Sequence, residues 1–218
     1  MSKIFLINTG KTQYIEGSLN WVTSGSNMFY DCDNLVSFTS DLSSLTNGNA
    51  MFYSCSNLTT FNADLSSLTN GYNMFSNCTN LTTFNSDLSN LTSGSYMFST
   101  CSNLTLFSSN LSSLTNGEAM FNSCSKLTTF NSDLSSLTNG GSAYSAMFGN
   151  NTYNCTKLDL ASVQNIAETI NDLASKGTTG TIGIGIAKAL QSDDETAPIN
   201  VALATIRAKG WTVTEIYA

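Results

Sequence analysis

The 218-residue chain contains no histidine, and only eight Lys or Arg residues stand against fifteen Asp and Glu. The absence of histidine removes the most common general base and metal ligand, which excludes His-activated nucleophiles and His-containing zinc sites. A net charge of −7 with so few cations leaves little to neutralise a run of phosphates. That argues against a nucleic-acid partner and against an anionic membrane surface. No stretch is long and apolar enough for a membrane-spanning helix. The start, Met1-Ser2-Lys3, is followed by only four apolar residues, Ile4 to Ile7, well short of the apolar segment of a signal peptide. Read without a leader, the chain is expected in the cytoplasm or in a phage particle. Read as the product of leader removal, it is expected at the cell surface or secreted. Charged residues make up only 11% of the chain, so Ser, Thr and Asn carry its solubility.

What the chain has is a repeat. A Met-Phe pair recurs at Met28-Phe29, Met51-Phe52, Met74-Phe75, Met97-Phe98 and Met120-Phe121, always 23 residues apart, and once more at Met147-Phe148 after a four-residue insertion. A strict period in this range means a solenoid, in which one repeat cannot bury its apolar face alone and stacking makes the core. Regularly spaced Leu, Phe and Met also argue against disorder.

One coil runs from Cys55 through Leu58, Phe61, Leu65, Leu68, Met74 and Phe75 to the next start at Cys78. This spacing fits neither a long helix nor a long strand, but a coil with several short sides. Thr59 to Asn62 is the expected strand, with Phe61 inward between Thr60 and Asn62. Stacked copies would form a parallel sheet at about 4.8 Å per coil. Asn70-Gly71 recurs as Asn47-Gly48, Asn116-Gly117 and Asn139-Gly140, with Ser24-Gly25 and Ser93-Gly94 as variants. The glycine of each corner is expected to supply a positive φ. The Met-Phe-x-x-Cys-x-x-Leu stretch, with its spacings of three, suits a tight 3₁₀-type turn.

The ends depart from the period. Leu19, Val22 and Gly25 sit one period before Leu42, Leu45 and Gly48, so residues 1–27 read as an N-terminal cap with a degenerate first coil. Ile15 aligns with Phe38, and Ile4 to Ile7 are an expected outer edge. Residues 28–157 carry the repeats. Residues 158–218 read as an α/β C-terminal cap. There, Leu160 to Ala174 has helical spacing with Asp159 as N-cap and Gly177 as its stop. Thr181 to Ile186 alternates as a strand. A second helix begins around Ser192 to Pro198 and runs to Gly210, and Trp211 to Ile216 is the last strand. The fold class is thus an α/β solenoid of about six right-handed coils, closed at one end by helices and strands.

The motif Gly-x-x-Met-Phe-x-x-Cys-Ser-Asn-Leu-Thr-Thr-Phe, seen from Gly48 to Phe61, resembles the leucine-rich repeats of BspA-like bacterial surface proteins. The likeness spans about Leu19 to Leu158. It implies a secreted or surface-anchored protein that adheres to host proteins or other cells, with no catalytic residues. The ending Ala208-Lys-Gly-Trp211-Thr-Val is similar to the ends of such repeat proteins in gut bacteria and their phages.

Several ladders follow from the period. Cys32, Cys55, Cys78, Cys101, Cys124 and Cys155 occur once per coil and read as a structural ladder of free, buried thiols. Neighbouring Cα atoms would lie within disulfide range, but their Cβ vectors would run parallel rather than converge. With no Cys-x-x-Cys pair, no metal site is expected. Asp41, Asp64, Asp87 and Asp133, with Asn110 in the gap, read as turn caps that bond backbone N–H groups, or alternatively as a calcium ladder. Asn34, Asn57, Asn80 and Asn103 are turn residues before a core leucine, with Lys126 in the next place.

The framework varies around the Met-Phe pair. Tyr30, Tyr53, Tyr72, Tyr96 and Glu118 fall there, and Tyr144 and Tyr153 fall in the insertions beside the last pair. Tyrosine offers a rigid amphipathic contact, and extra loop length on one face of a solenoid often marks its binding side. These seven residues are the candidate binding surface, for a protein or glycan ligand. No cofactor is expected. Gly183 and Gly185 do not complete a dinucleotide fingerprint, and no nucleophile–base pair is legible. The leading expectation is a non-enzymatic binding or adhesion module. The alternative is a structural spacer in a phage or cell-surface assembly.

Overall fold

The computed structural model describes residues 18–141, 146–149, 158–177 and 179–217. Ile4 to Ile7, Ile15, Tyr144, Tyr153 and Cys155 lie outside the described residues.

The repeats form a leucine-rich-repeat solenoid with short parallel strands. Five coils each contribute one two-residue strand: β1 (Ser37–Phe38), β2 (Thr60–Phe61), β3 (Thr83–Phe84), β4 (Leu106–Phe107) and β5 (Thr129–Phe130). In each, the phenylalanine is buried and the preceding residue lies outside the core. β1 pairs in parallel with β2, and β3, β4 and β5 pair in that order. A second parallel ladder runs through the corner residues Ser24, Asn47, Asn70, Ser93, Asn116 and Asn139.

Two rows of phenylalanine fill the interior. Phe29, Phe52, Phe75, Phe98, Phe121 and Phe148 stack at 5.1–5.6 Å between centroids. Phe38, Phe61, Phe84, Phe107 and Phe130 stack at 5.6–6.0 Å. The rows meet mostly edge-to-face, as in Phe61 against Phe75 at 4.7 Å and 75°. That is the geometry the ring quadrupole favours.

The Met-Phe side differs from expectation in two ways. The i→i+3 hydrogen bonds of a 3₁₀-type turn are present, as in Met28 N–H to Gly25 O, Tyr30 to Asn27, and Cys32 to Phe29. They do not run consecutively, so the stretch is a chain of turns. The positive φ is also not at the corner glycines. It falls on the residue before Met (Asn27, Ala50, Asn73, Tyr96, Ala119) and on the residue before Cys (Asp31, Ser54, Asn77, Thr100, Ser123). Each such residue costs on the order of 1 kcal/mol. The conformation turns its N–H along the stack: Asn27 donates to Asn49 O at 2.9 Å, Asp31 to Tyr53 O at 2.8 Å, and Ala50 to Tyr72 O at 2.8 Å.

The corner glycines are needed for space instead. A Cβ on Gly25, Gly48 or Gly71 would lie 2.5–2.7 Å from Sδ of Met51, Met74 or Met97 in the following coil. Glycine lets that methionine pack under the corner, and no side chain longer than hydrogen fits without displacing it.

The C-terminal block is α1 (Leu160–Thr169), β6 (Gly180–Ile186), α2 (Pro198–Ala208) and β7 (Trp211–Tyr217), with β6 and β7 parallel. Asp159 caps α1 by accepting from Ser162 N–H at 2.8 Å. The helix ends at Thr169 rather than continuing to Ala174, and Gly177 closes a following 3₁₀ turn. Asn171 explains the early stop. Its N–H donates to Leu134 O, and its side-chain amide donates to Leu137 O at 3.0 Å. Both bonds need the chain to leave the helix.

The block covers the open end of the stack with polar groups as well as apolar ones. Ser162 Oγ accepts Phe130 N–H at 2.8 Å, and Asn165 Oδ1 accepts Ser132 N–H at 3.2 Å. These donors lie on the last described repeat strand or just beyond it, where α1 takes the place of a further strand. Lys209 Nζ donates to the Ala167, Glu168 and Ile170 carbonyls at the end of α1, where a cation offsets the helix dipole. β6 continues the corner ladder through Gly140 paired with Ile182.

Candidate functional site

Each predicted ladder has a definite role in the stack. The Asp41, Asp64, Asp87 and Asp133 carboxylates accept the N–H two residues ahead at 2.8–2.9 Å, and Asn110 does the same uncharged at 2.9 Å. The Ser66 hydroxyl and amide hold the Asp64 carboxyl below its ordinary range. These residues are turn caps. Among the described residues, no three His, Cys, Asp or Glu side chains converge as a metal site would require. Asn57, Asn80 and Asn103 bond coil to coil through their side chains, and Lys126 Nζ ends that row on Asn103 Oδ1 at 2.6 Å.

Cys32, Cys55, Cys78, Cys101 and Cys124 are buried and unbridged. From Cys55 on, each thiol donates to the Phe carbonyl of the preceding coil: Cys55 to Phe29 O, Cys78 to Phe52 O, Cys101 to Phe75 O and Cys124 to Phe98 O, at 3.0–3.2 Å. Cysteine here is a small apolar side chain that also closes a hydrogen bond. Burial pushes the Cys55 thiol up to about 12 and raises those of Cys78, Cys101 and Cys124 as well. The thiolate is the reactive form, so this row is built for packing.

Two results follow. In a Cys155→Ser background, none of the five thiols should react with a maleimide at mildly alkaline pH until the chain is unfolded, when all five should. Because the folded-state values are raised, the thiol contribution to stability is complete below the ordinary value of 9.0. It is lost as pH climbs from there toward about 12. A thermal melt should therefore fall across that alkaline window, measured against the chain with Cys55 and Cys78 replaced by alanine.

The candidate binding residues divide once placed. Tyr30 and Tyr53, both two positions after Met, stack with centroids 4.8 Å apart and planes 8° apart. Tyr72, two positions before Met74, and Tyr96, one before Met97, meet edge-to-face at 6.1 Å and 68°. The Tyr96 hydroxyl points at Glu118 Oε1, 3.5 Å away. Tyr30 and Tyr72 are exposed, while Tyr53, Tyr96 and Glu118 are half-buried. Partial burial, then Asp31 and Tyr53, raise the Tyr30 phenol above its ordinary value. Other positions around the Met-Phe pair are not surface at all: Ala50, Ser76, Ser95 and Ala119 are buried. They fill the turn chain, so variation there is set by packing.

The sequence reading missed a groove between α1 and α2, of about 550 Å³, lined by Gln164, Ala167, Val201, Ala202 and Thr205 among others. No motif marks it, because its walls come from two helices some thirty residues apart. Its one amine, Lys209, is the cap of α1 described above. No described helix is long and apolar enough to cross a membrane.

A family model described as BspA type Leucine rich repeat region matches the chain in six copies over residues 22–152. No curated protein and no solved structure matches it.

Proposed function

The chain belongs to the BspA-type leucine-rich repeat family, and from that premise we propose that it recognises a protein partner through the tyrosine-bearing Met-Phe side of its stack. The family is in general an interaction or adhesion scaffold rather than a catalyst. The observation that carries the finer reading is the pairing of Tyr30 with Tyr53 and of Tyr72 with Tyr96 across neighbouring coils. The main chain beneath them is held by inter-coil hydrogen bonds, so the rings are presented with little entropy left to lose on binding. A sugar ring docks on an open aromatic face. Tyr30 and Tyr53 each cover one face of the other, which removes half of the aromatic face a sugar would need and suits a polypeptide surface better.

The test uses residues the other coils already carry at the same positions. Tyr30→Ser with Tyr53→Ser follows Ser99, and Tyr72→Ser with Tyr96→Ala follows Ser95 and Ala119. Screened against protein and glycan arrays, the chain should capture proteins. The four-fold variant should lose that capture with an unchanged melting temperature. Capture retained by the variant would overturn the assignment to this side. Capture of glycans alone would overturn the partner class. No capture by either chain, together with loss of assembly on deleting one coil, would establish the spacer reading instead.

A further inference from the structure

We propose that the Asn-Gly corners at Asn47, Asn70 and Asn116 are latent deamidation sites, closed while the coils are stacked and converted irreversibly where a coil opens. In this reaction the glycine amide nitrogen attacks the asparagine side-chain amide carbon. A C–N bond forms, the side-chain amino group leaves as ammonia with the glycine N–H proton, and water opens the resulting imide at either carbonyl. The products are aspartate or its isomer with the main chain routed through the side chain.

The pair is retained because its glycine is needed. The space a Cβ would take at Gly48 and Gly71 is filled by Met74 and Met97 Sδ, so bulk that would slow the reaction is not accommodated. The stack protects the pair in another way. The attacking nitrogens are engaged: Gly48 N–H donates to Asn70 O, Gly71 to Ser93 O and Gly117 to Asn139 O, all at 2.8 Å. The electrophile is held as well. Asn47, Asn70, Asn116 and Asn139 each accept through Oδ1 from the N–H two residues on, at 3.0–3.1 Å. Asn70 and Asn139 also donate through Nδ2 to Asn47 and Asn116 Oδ1, at 3.2 and 3.0 Å. The glycine N–H and Asn Nδ2 bonds run between coils, while each Oδ1 bond to the N–H two residues on is local. Opening the interface to the next coil therefore frees the glycine nitrogen and, at Asn47 and Asn116, one of the two bonds on the electrophile. The Ser24 and Ser93 corners have no amide to lose.

Conversion damages the ladder unequally. An aspartate at 47 still offers an acceptor to Asn70. An aspartate at 70 loses its donor and sets a carboxylate against Asn47 Oδ1. The isomer lengthens the main chain at a bridge residue and breaks its register with the next coil. Asn70 and Asn116 also fix the N–H groups of Tyr72 and Glu118, so the change reaches the candidate recognition side whether or not that side binds.

The native chain and the same chain in urea are incubated at mildly alkaline pH, digested, and assayed by mass spectrometry and by an isomer-specific digest. At Asn47, Asn70 and Asn116 the native rate should be about tenfold or more below the unfolded rate, since reaction requires local opening. Equal rates would overturn the protection. Alongside, Asn70→Asp should melt lower than Asn47→Asp. Equal melting of the two would overturn the claim that conversion breaks the stack.

Discussion

Phe75→Ala should lower the stability of the chain by about 3–5 kcal/mol, among the largest effects expected of a single substitution in the repeats. Phe75 is fully buried and touches four other rings. Phe52 and Phe98 stack on it at 5.4 and 5.5 Å, and Phe61 and Phe84 meet it at 4.7 and 5.3 Å. Removing the ring leaves a void between coils whose spacing is set by backbone hydrogen bonds, so the walls cannot close. Because each coil touches only its neighbours, a weak central interface should also divide a single urea transition into two. Equilibrium unfolding followed by circular dichroism reads both the midpoint and the split. Phe29→Ala, in the first described Met-Phe coil, should cost less and leave one transition. A loss below about 1 kcal/mol at Phe75 would mean that the coils collapse onto the gap, against the rigid-ladder account.

Asn171→Ala should cost about 2–3 kcal/mol through unsatisfied polar groups rather than lost volume. Asn171 is buried and serves both the last coil and the cap. Its side-chain amide donates to Leu137 O at 3.0 Å, its carbonyl accepts the Trp211 indole N–H at 2.8 Å, and its Oδ1 accepts Lys176 Nζ at 2.7 Å. Alanine keeps the main-chain bonds and orphans the Leu137 carbonyl. With the cap loosened, the edge of β5 is uncovered, and an unpaired strand edge is a template for association. Light scattering on warming should therefore rise earlier for Asn171→Ala than for Phe29→Ala. Asn171→Asp, which keeps the Oδ acceptor but not the donor, should behave like alanine in the melt.

The repeat was legible because its cause is local and recurs. A 23-residue spacing of Cys, Leu, Phe and Met can bury its apolar set only by stacking, which gave the solenoid, the parallel strands at Thr60-Phe61 and its counterparts, and the turn role of the Asp row. The cap was legible for a related reason, since Asp159, Gly177 and Pro198 mark helix and turn boundaries by their own chemistry. Helix α1 was read too long because its end at Thr169 is set by Asn171 reaching carbonyls more than thirty residues earlier, which no local pattern encodes.

The corner glycine was misread for the same reason. From sequence, Asn-Gly signals a positive φ. In the fold that conformation moved to residues such as Ala50 and Tyr96, whose own preferences do not favour it. The N–H alignment with the next coil compensates for it. The candidate surface was legible only as a position: variation beside Met-Phe marked a side of the coil, but could not say that Ala50, Ser76, Ser95 and Ala119 are buried. Period and residue type by themselves determined that this chain stacks and which side chains fill the stack. Which glycines are steric, which thiols donate, which tyrosines pair and where the helix stops were decided by tertiary structure, because each depends on an atom brought near from another coil or from the cap.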